Sequence, residues 1–329
     1  MKKINKTEVK RILVITLSNM GDIILTTPVV EVLLKEFPAA RLDVMVGPSG
    51  GDIFRAHPRV SECIIYNKRV TLLEKFKLFL SLRKKGYDLV VDLRNTILPI
   101  VIGSKYKTNP FRHHKKEEFH KKDVHLSRLK EIGIDISNGH FYIPIEEKDK
   151  KNVENLLGEI KDKPFIVVSP GAKSHVKRWP LKNFAKLCDM IKEKIGYDVV
   201  LTGDAFDRVV TQRILSRLNS KVINLAEKTN IRELACLIKK SKLLITNDSA
   251  PMHAASAVNA PTLAFFGPTN EKKYGPLADA KKIVMRKNIK CTPCCVPQCI
   301  NFDNKYECLK TITPEEAFEA VKELLKLSS

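Results

Sequence analysis

Residues 12–24 read ILVITLSNMGDII, a short apolar run that is followed by a polar turn and then by a second apolar stretch. A continuous apolar run of this length is typical of a strand in a parallel sheet covered on both faces. The turn then lies at the carboxyl end of a strand, where α/β folds bind their ligands. Gly21 permits a tight turn there, and Asp22 follows it at the start of a helix.

The same pattern of short apolar runs and longer amphipathic stretches continues along the chain. The predicted strands are Ile12–Thr16, Leu42–Val46, Cys63–Tyr66, Leu89–Leu93, Phe165–Ser169, Val199–Thr202, Val222–Leu225, Leu243–Thr246 and Thr262–Phe266. Helical patterns lie between them, and the one within residues 72–80 places its apolar side chains on a single stripe. This alternation predicts an α/β fold with two doubly wound, parallel sheets.

The length of 329 residues suits two domains. Charged sequence over residues 144–163 contains the predicted boundary, which gives domains at 1–155 and 156–312. Residues 313–329 form a final helix, since Thr313, Pro314 and Glu316 make a capping box with proline at the first helical position.

The chain carries 58 Lys and Arg against 37 Asp and Glu, a formal net charge of +21. Such an excess attracts anionic partners, among them nucleic acid, an acidic membrane surface and phosphorylated substrates. No nucleic-acid-binding motif accompanies it, so no specific nucleic acid is predicted. The sequence also has no apolar stretch long enough to span a membrane, and we expect a cytoplasmic protein.

Residues 104–128 combine many basic side chains with little periodicity, which predicts a basic, mobile loop. Its basic residues are Lys105, Lys107, Arg112, His113, His114, Lys115, Lys116, His120, Lys121, Lys122 and His125. Both a solvated loop without function and a site for anions fit this composition.

A second turn follows the first strand of the second half, where residues 165–180 read FIVVSPGAKSHVKRWP. Gly171 allows the backbone to approach a ligand closely, and Lys173, Lys177 and Arg178 supply positive charge. These features suit a phosphate group. Trp179, the only tryptophan, fits a packing role better than a ligand contact.

A third turn lies within residues 243–255, which read LLITNDSAPMHAA. Small residues leave the N-terminus of the following helix uncovered, so its N–H groups can bind a diphosphate. His253 lies in the first turn, where a structural role and a contact with an anion are both open.

The cysteines Cys291, Cys294, Cys299 and Cys308 have the spacing C-x2-C-x4-C-x8-C. Such spacing could hold a structural zinc ion or an iron–sulfur cluster, whereas a disulfide is disfavoured in a reducing cytosol.

In order and spacing, the motifs S-x-x-G-D, S-P-G-x-x-x-x-x-K-x-W-P, N-D-S-x-x-x-H-x-A-x-A and F-G-P-T resemble glycosyltransferase family 9, the lipopolysaccharide heptosyltransferases and their relatives. The resemblance covers nearly the whole chain, and the cysteine pattern is similar to that of the heptosyltransferase II-like branch. It implies a GT-B fold of two Rossmann-like domains facing across a cleft. The acceptor would bind to the N-terminal domain and the nucleotide sugar to the C-terminal domain, with the final helix packing back toward the N-terminal domain.

The resemblance also implies a metal-independent, inverting transfer that requires no cofactor. Asp22 would be the catalytic base, and Lys177 would neutralise charge on the departing nucleoside diphosphate. The implied donor-binding residues are Ser169, Gly171, Ala172, Lys173, Asp207, Asp248, Ser249, Ala250 and His253. The implied acceptor-binding residues are Ser18, Gly21, Lys115 and Lys116.

The implied partners are a nucleotide-sugar donor such as ADP-heptose and a phosphorylated glycolipid acceptor. Peripheral contact with the inner face of an anionic inner membrane follows from such an acceptor. Family members with a threonine pair after the Pro-Gly turn contact the donor through it, whereas this chain has Ala172 and Lys173 there, which leaves the donor sugar open. The alternatives are a family member with another nucleotide sugar, an epimerase of the same fold, and a non-catalytic protein that binds nucleotide sugars or nucleic acid.

Overall fold

The structure is a computed structural model that describes residues 4–110, 119–137 and 139–327. The chain divides into two compact units, Met1–Pro144 and Ile145–Ser329. The predicted boundary at 155 therefore falls inside a helix, Glu147–Leu157, that belongs to the second unit. Val153 and Leu157 of this helix are buried, and Asp149 pairs with Arg232 at 3.1 Å, so the helix packs within that unit.

The described residues of the first unit form a five-stranded parallel sheet in the order β3-β2-β1-β4-β5. Its strands are β1 Arg11–Ile15, β2 Arg41–Val46, β3 Glu62–Ile65, β4 Leu89–Asp92 and β5 Tyr106–Lys107. Its helices are α1 Met20–Glu36, α2 Gly51–Arg55, α3 Leu72–Lys84, α4 Leu98–Ile102 and α5 Lys121–Lys130, with 3-10 turns at Lys6–Glu8 and Pro48–Gly50. The central strand β1 is buried from Ile12 to Ile15 because helices cover both faces of the sheet.

In the second unit the described residues form a six-stranded parallel sheet in the order β11-β10-β9-β6-β7-β8. Its strands are β6 Phe165–Ser169, β7 Asp198–Leu201, β8 Ile223–Asn224, β9 Leu243–Asn247, β10 Thr262–Phe265 and β11 Lys282–Met285. Its helices are α6 Glu147–Leu157, α7 Leu181–Lys194, α8 Arg208–Leu215, α9 Ile231–Lys240, α10 Ala250–Ala257, α11 Glu271–Tyr274, α12 Glu307–Lys310 and α13 Pro314–Leu325, with 3-10 turns at Gly158–Ile160, His175–Lys177 and Ala205–Asp207.

The two sheets share the strand order of the Rossmann fold. When strands are counted from the first of each unit, the second sheet reads 3-2-1-4-5-6 and the first reads 3-2-1-4-5. The order reverses between β1 and β4 in the first unit, and between β6 and β9 in the second. Ligands of such sheets bind outside the carboxyl ends of the strands at this reversal, so each unit has one defined place for a site.

The core of the second unit is built around Trp179, which is fully buried. Its ring stacks on Phe265 at 4.2 Å between centroids and meets Phe184 edge-on at 4.9 Å. Its indole N–H donates to the carbonyl of Ile312 at 2.9 Å, in the segment that leads into α13. The sequence-based assignment of Trp179 to packing is confirmed.

The last helix, α13, contributes to the same core. Ala317, Val321 and Leu324 are buried and join the cluster that contains Trp179. The predicted capping box is present, since Thr313 accepts from the N–H of Glu316. Contact of this helix with the first unit stays a prediction.

All nine predicted strands are present. The edge strands β5 and β11 were missed, the first because it has only two residues. The prediction of an irregular loop over residues 104–128 is wrong where the structure describes it, because Lys121–Lys130 form helix α5. Leu126 and Leu129 bury one face of this helix, and the His120 ring caps its N-terminus. Five further basic residues of that stretch, Arg112 to Lys116, lie outside the described residues.

Helix α3 matches the pattern predicted within residues 72–80, but most of its apolar stripe stays in solvent. Phe79 is half-buried, whereas Leu72, Leu73, Phe76 and Leu80 are exposed. Among the described residues, no helix combines the length and apolarity needed to cross a membrane.

Phe265→Ala tests the aromatic core of the second unit. Removing a fully buried ring that packs on Trp179 and Phe184 should lower the free energy of unfolding by about 3–5 kcal/mol. The measurement is the denaturant midpoint and slope followed by Trp179 fluorescence. Phe302→Ala is the control, because Phe302 is 77% exposed in the same unit; equal losses in both variants would contradict the packing described.

Candidate active site

The chemistry-bearing residues of the second unit lie in two loops at the reversal of its strand order. The β6 loop, residues 170–180, follows β6, and the β9 loop, residues 248–249, connects β9 to α10. These strands pair directly, with Ser169 beside Thr246. The parallel register therefore brings the second and third sequence motifs to one edge of the sheet.

Asn247, the last residue of β9, joins these two loops. Its side-chain N–H donates to the carbonyl of Pro170 at 2.7 Å, and its side-chain oxygen accepts from the N–H of Trp179 at 2.9 Å. Asn247 is fully buried, so both bonds satisfy backbone groups that water does not reach. The residue holds the beginning and the end of the β6 loop against the end of β9.

Lys177 and Asp248 form an ion pair between the two loops. The Lys177 ammonium lies 2.7 Å from a carboxylate oxygen of Asp248. The same oxygen accepts from the hydroxyl of Thr269 at 2.5 Å, and Asp248 is buried. A buried carboxylate with two donors fixes the ammonium in place, and Lys177, which is partly exposed, keeps further N–H donors for a ligand.

At Gly171 the backbone of the β6 loop lies close to the side chain of Asp207. A Cβ atom added there would lie 2.0 Å from a carboxylate oxygen of Asp207, so a larger residue would displace that carboxylate. Burial raises the pKa of Asp207, and the nearby Asp204 adds to the rise. Arg178 lies 3.9 Å from Asp207 and donates to the carbonyl of Ala172 at 2.9 Å, which ties the loop to this carboxylate.

Helix α10 begins beside the Lys177–Asp248 pair. Its N-cap residue, Ser249, makes no side-chain capping bond, because the hydroxyl contacts Thr246 and the carbonyl of Asn247 instead. The first turn of the helix is partly exposed at Ala250. Helix N-termini of this kind favour anions through the helix dipole and free N–H groups. His253, in the same turn, is buried.

In the first unit, the turn after β1 is held by a close packing of two loops. The N–H of Gly47, after β2, donates to the carbonyl of Leu17 at 3.1 Å. A Cβ atom on Gly47 would come within 2.7 Å of the backbone of Ser18, so this glycine is required for the contact. Ser18 thus lies in the turn at the carboxyl end of β1, as expected. The expectation that Gly21 forms this turn is wrong, because α1 begins at Met20 and Gly21 lies in its first turn.

Asp22 lies in the first turn of α1 and is partly exposed. Its carboxylate accepts from the side-chain N–H of Asn19 at 3.0 Å. Asn19 is the N-cap residue of the helix, so Asp22 is held by the cap and does not itself form the cap. A solvent-accessible carboxylate held in one orientation at the carboxyl end of β1 has the position that a general base requires.

Sequence reasoning missed Asp92, at the end of β4. This buried carboxylate accepts from the N–H groups of Arg94 and Thr96 and from the Thr96 hydroxyl, at 2.6–2.8 Å. It fixes the turn beside the end of β1. The sequence Asp92-x-Arg94-x-Thr96 after a strand is typical of such a turn and could have indicated it. The bridging role of Asn247 was missed as well.

The four cysteines of the predicted metal site line one small cavity in the second unit. Burial raises the pKa of the Cys308 thiol to about 11, with a further rise from the thiols of Cys291, Cys294 and Cys299. All four are free thiols. Yet the described residues contain no group of three or more His, Cys, Asp or Glu side chains arranged to hold a metal ion. The structure does not support the predicted zinc or iron–sulfur site, and the thiol of Cys299 instead accepts from the N–H of Tyr306.

The structure thus brings most predicted donor residues to one place. Ser169 and Ala172 are buried in the β6 loop region, and Lys173 in the same loop is exposed. Lys115 and Lys116, the predicted acceptor-binding lysines, lie outside the described residues.

Known proteins that are similar to this chain identify its family. The sequence model of Glycosyltransferase family 9 (heptosyltransferase) matches residues 75–304. The chain belongs to glycosyltransferase family 9. It is 30% identical to lipooligosaccharide heptosyltransferase 2 of Haemophilus influenzae, over 95% of this chain and 99% of the relative.

Two solved structures support the assignment of this family 9 glycosyltransferase to the GT-B fold. The glycosyl transferase family 9 from Veillonella parvula aligns with a TM-score of 0.83 and 27% identity, over 97% of this chain and 98% of that one. The ADP-heptose lipopolysaccharide heptosyltransferase II of Escherichia coli aligns with a TM-score of 0.79 and 27% identity, over 96% and 98%.

Asn247→Leu tests the junction of the two loops. The change keeps the side-chain size but leaves the carbonyl of Pro170 and the N–H of Trp179 buried without partners. We expect the free energy of unfolding to fall by at least about 2 kcal/mol in denaturant titrations. Asn219→Leu, at an exposed position of the same unit, should change it by less than about 0.5 kcal/mol. A loss in Asn247→Leu no greater than in the control would refute the bridging role.

Proposed function

We propose that this glycosyltransferase moves heptose from ADP-heptose onto a phosphorylated glycolipid of the lipopolysaccharide core. The observation that carries the proposal is the Lys177–Asp248 pair beside the N-terminus of α10, at the carboxyl ends of β6 and β9. This arrangement is built for a diphosphate. The family and the names of its relatives supply the sugar and the acceptor.

The donor binds to the second unit. The N–H groups at Ser249 and Ala250 and the ammonium of Lys177 bind the two phosphates, while the close approach at Gly171 lets the nucleotide lie along the β6 loop. Asp207, beside Gly171, accepts from the ribose hydroxyls. Ser169, Ala172, Lys173 and His253 complete the donor site as surrounding residues of the same loops.

The transfer inverts the anomeric carbon. Asp22 removes the proton of the acceptor hydroxyl, whose oxygen forms the new bond to the anomeric carbon from the face opposite the diphosphate. The bond from that carbon to the diphosphate oxygen breaks, and ADP departs with the electron pair. Lys177 and the start of α10 stabilise the charge that develops on ADP, so the reaction needs no metal ion.

The acceptor binds to the first unit. Ser18, in the turn after β1, and Gly21, beside Asp22 in the first turn of α1, contact the acceptor, and Lys115 and Lys116 attract the anionic groups of the glycolipid. The acceptor is amphipathic, so the enzyme acts at the cytoplasmic face of an anionic inner membrane. The basic excess of the chain, +21, favours this partner.

Asp22→Asn tests the catalytic role. We expect kcat/KM for heptosyl transfer from ADP-heptose to fall by about 10²–10⁴-fold, because the amide cannot accept the proton. The dissociation constant for ADP, measured by calorimetry, should change by less than about twofold, since the donor binds elsewhere.

Asp52→Asn is the matched control, because Asp52 is an exposed aspartate in the first turn of α2 in the same unit. Its kcat/KM should equal that of the wild type. Wild-type turnover by Asp22→Asn would exclude the proposed base. A wild-type protein that is inactive with ADP-heptose, yet protected against thermal unfolding by another nucleotide sugar, would instead correct the donor.

A further inference from the structure

The exposed apolar side chains of the first unit are concentrated on two neighbouring helices. Thirteen large apolar residues are exposed among the described residues. Seven of them belong to α3, to α4 or to the N-cap position of α4. They are Leu72, Leu73, Phe76, Leu80, Ile97, Ile100 and Val101. Single exposed apolar residues are ordinary, but a contiguous group of this size marks an interaction surface.

The two helices form one surface because they pack on each other from the inside. Leu82 of α3 and Leu98 and Ile102 of α4 belong to the same buried cluster, and Leu78 and Phe79 of α3 pack against it. The outward faces of both helices are therefore neighbours. We call the seven exposed residues the α3–α4 apolar surface.

The exposed side chains of α3 form a continuous stripe. With about 100° of rotation per residue, Leu72, Phe76 and Leu80 lie within one quadrant of the helix, and Leu73 borders them. Leu72 is 83% exposed, Leu73 62% and Phe76 58%. The helix is thus apolar on two adjacent faces, of which the fold of the unit buries only one.

The charge around this stripe is almost wholly positive. Residues 68–84 contain six basic side chains, Lys68, Arg69, Lys75, Lys77, Arg83 and Lys84. The only acid in this stretch is Glu74, whose carboxylate is used by Thr71 in the capping box of α3. Lys77 and Lys84 are exposed and border the apolar stripe.

We propose that the α3–α4 apolar surface docks on an anionic lipid bilayer and lies in its interfacial region. This inference rests on the proposed function, because that function supplies a glycolipid acceptor in a membrane. An apolar stripe bordered by lysine and arginine is the composition of interfacial helices, whose apolar face enters the headgroup boundary while the basic residues contact anionic lipid. A second copy of this chain is disfavoured as the occupant, because pairing the same surface would place its lysines and arginines against each other.

Flotation with lipid vesicles tests the proposal, without nucleotide or acceptor. The wild-type protein should bind vesicles of two parts phosphatidylcholine to one part phosphatidylglycerol, and bind phosphatidylcholine alone much more weakly. Leu73→Asp combined with Phe76→Asp should lower binding to the anionic vesicles by at least about tenfold. Phe302→Asp, which changes an exposed phenylalanine of the second unit, should bind as the wild type does.

A second variant covers the case in which the aspartates disturb folding. Lys77→Glu with Lys84→Glu leaves every apolar residue in place and should also lower binding to anionic vesicles, as should high salt. Light scattering checks the rival occupant: a wild-type dimer that the Leu73 and Phe76 changes convert to a monomer, without vesicle binding, would overturn the proposal. So would equal vesicle binding by all variants.

Transfer to a soluble fragment of the acceptor separates this proposal from the proposed function. The Leu73 and Phe76 variant should keep the wild-type rate on the soluble fragment and lose rate on acceptor embedded in vesicles. Undiminished vesicle binding by this variant, with wild-type rates on both forms, would overturn the inference and leave the reaction intact. A wild-type protein that binds vesicles but is inactive on both forms would overturn the proposed function and leave the docking surface intact.

Discussion

The second unit depends on one buried side chain, Asn247. A parallel sheet places the carboxyl ends of β6 and β9 side by side, but it does not fix the eleven-residue loop, residues 170–180, that follows β6. Asn247 does so, with one bond to Pro170 at the start of the loop and one to Trp179 at its end. Trp179 is then driven into the core against Phe265, and Lys177, two residues earlier, comes to lie 2.7 Å from Asp248. The position of the charged group is thus a consequence of backbone hydrogen bonding and aromatic packing, which are stronger constraints than an ion pair alone.

Both units use the same strand order, and each presents its functional loop at the reversal of that order. The charged groups at this position have opposite sign in the two units. In the first unit, the turn after β1 carries the carboxylate of Asp22, and the neighbouring turn after β4 is fixed by the buried Asp92. In the second unit, the corresponding turns carry Lys177 and the start of α10. The proposed reaction assigns the proton acceptor to the first of these positions and the diphosphate site to the second, which are the two groups that an inverting sugar transfer needs.

The strands could be predicted from the sequence because they are continuous apolar runs, and the loop motifs could be located because they follow those runs directly. Three features could not be predicted. The helix at Lys121–Lys130 is rich in polar residues, and Leu126 and Leu129 are its only buried apolar side chains, so its charge concealed its periodicity. The apolar stripe of α3 has the spacing of a buried helix face. Spacing alone does not predict that the unit buries Leu82 and its neighbours and leaves most of the stripe exposed. The cysteine spacing suggested a metal site, whereas the orientation of thiols depends on loop geometry that spacing does not encode.

The central claim is that Lys177, positioned by Asp248, binds the terminal phosphate of a nucleoside diphosphate. Calorimetric titration of ADP and of AMP into the wild type and into Lys177→Met measures this contact as a thermodynamic cycle. The control is Lys186→Met, which changes an exposed lysine of α7. The account predicts that the wild type and the control bind ADP at least about tenfold more tightly than AMP, and that Lys177→Met loses most of this preference. The same ratio of the two dissociation constants in Lys177→Met and in the wild type would contradict it.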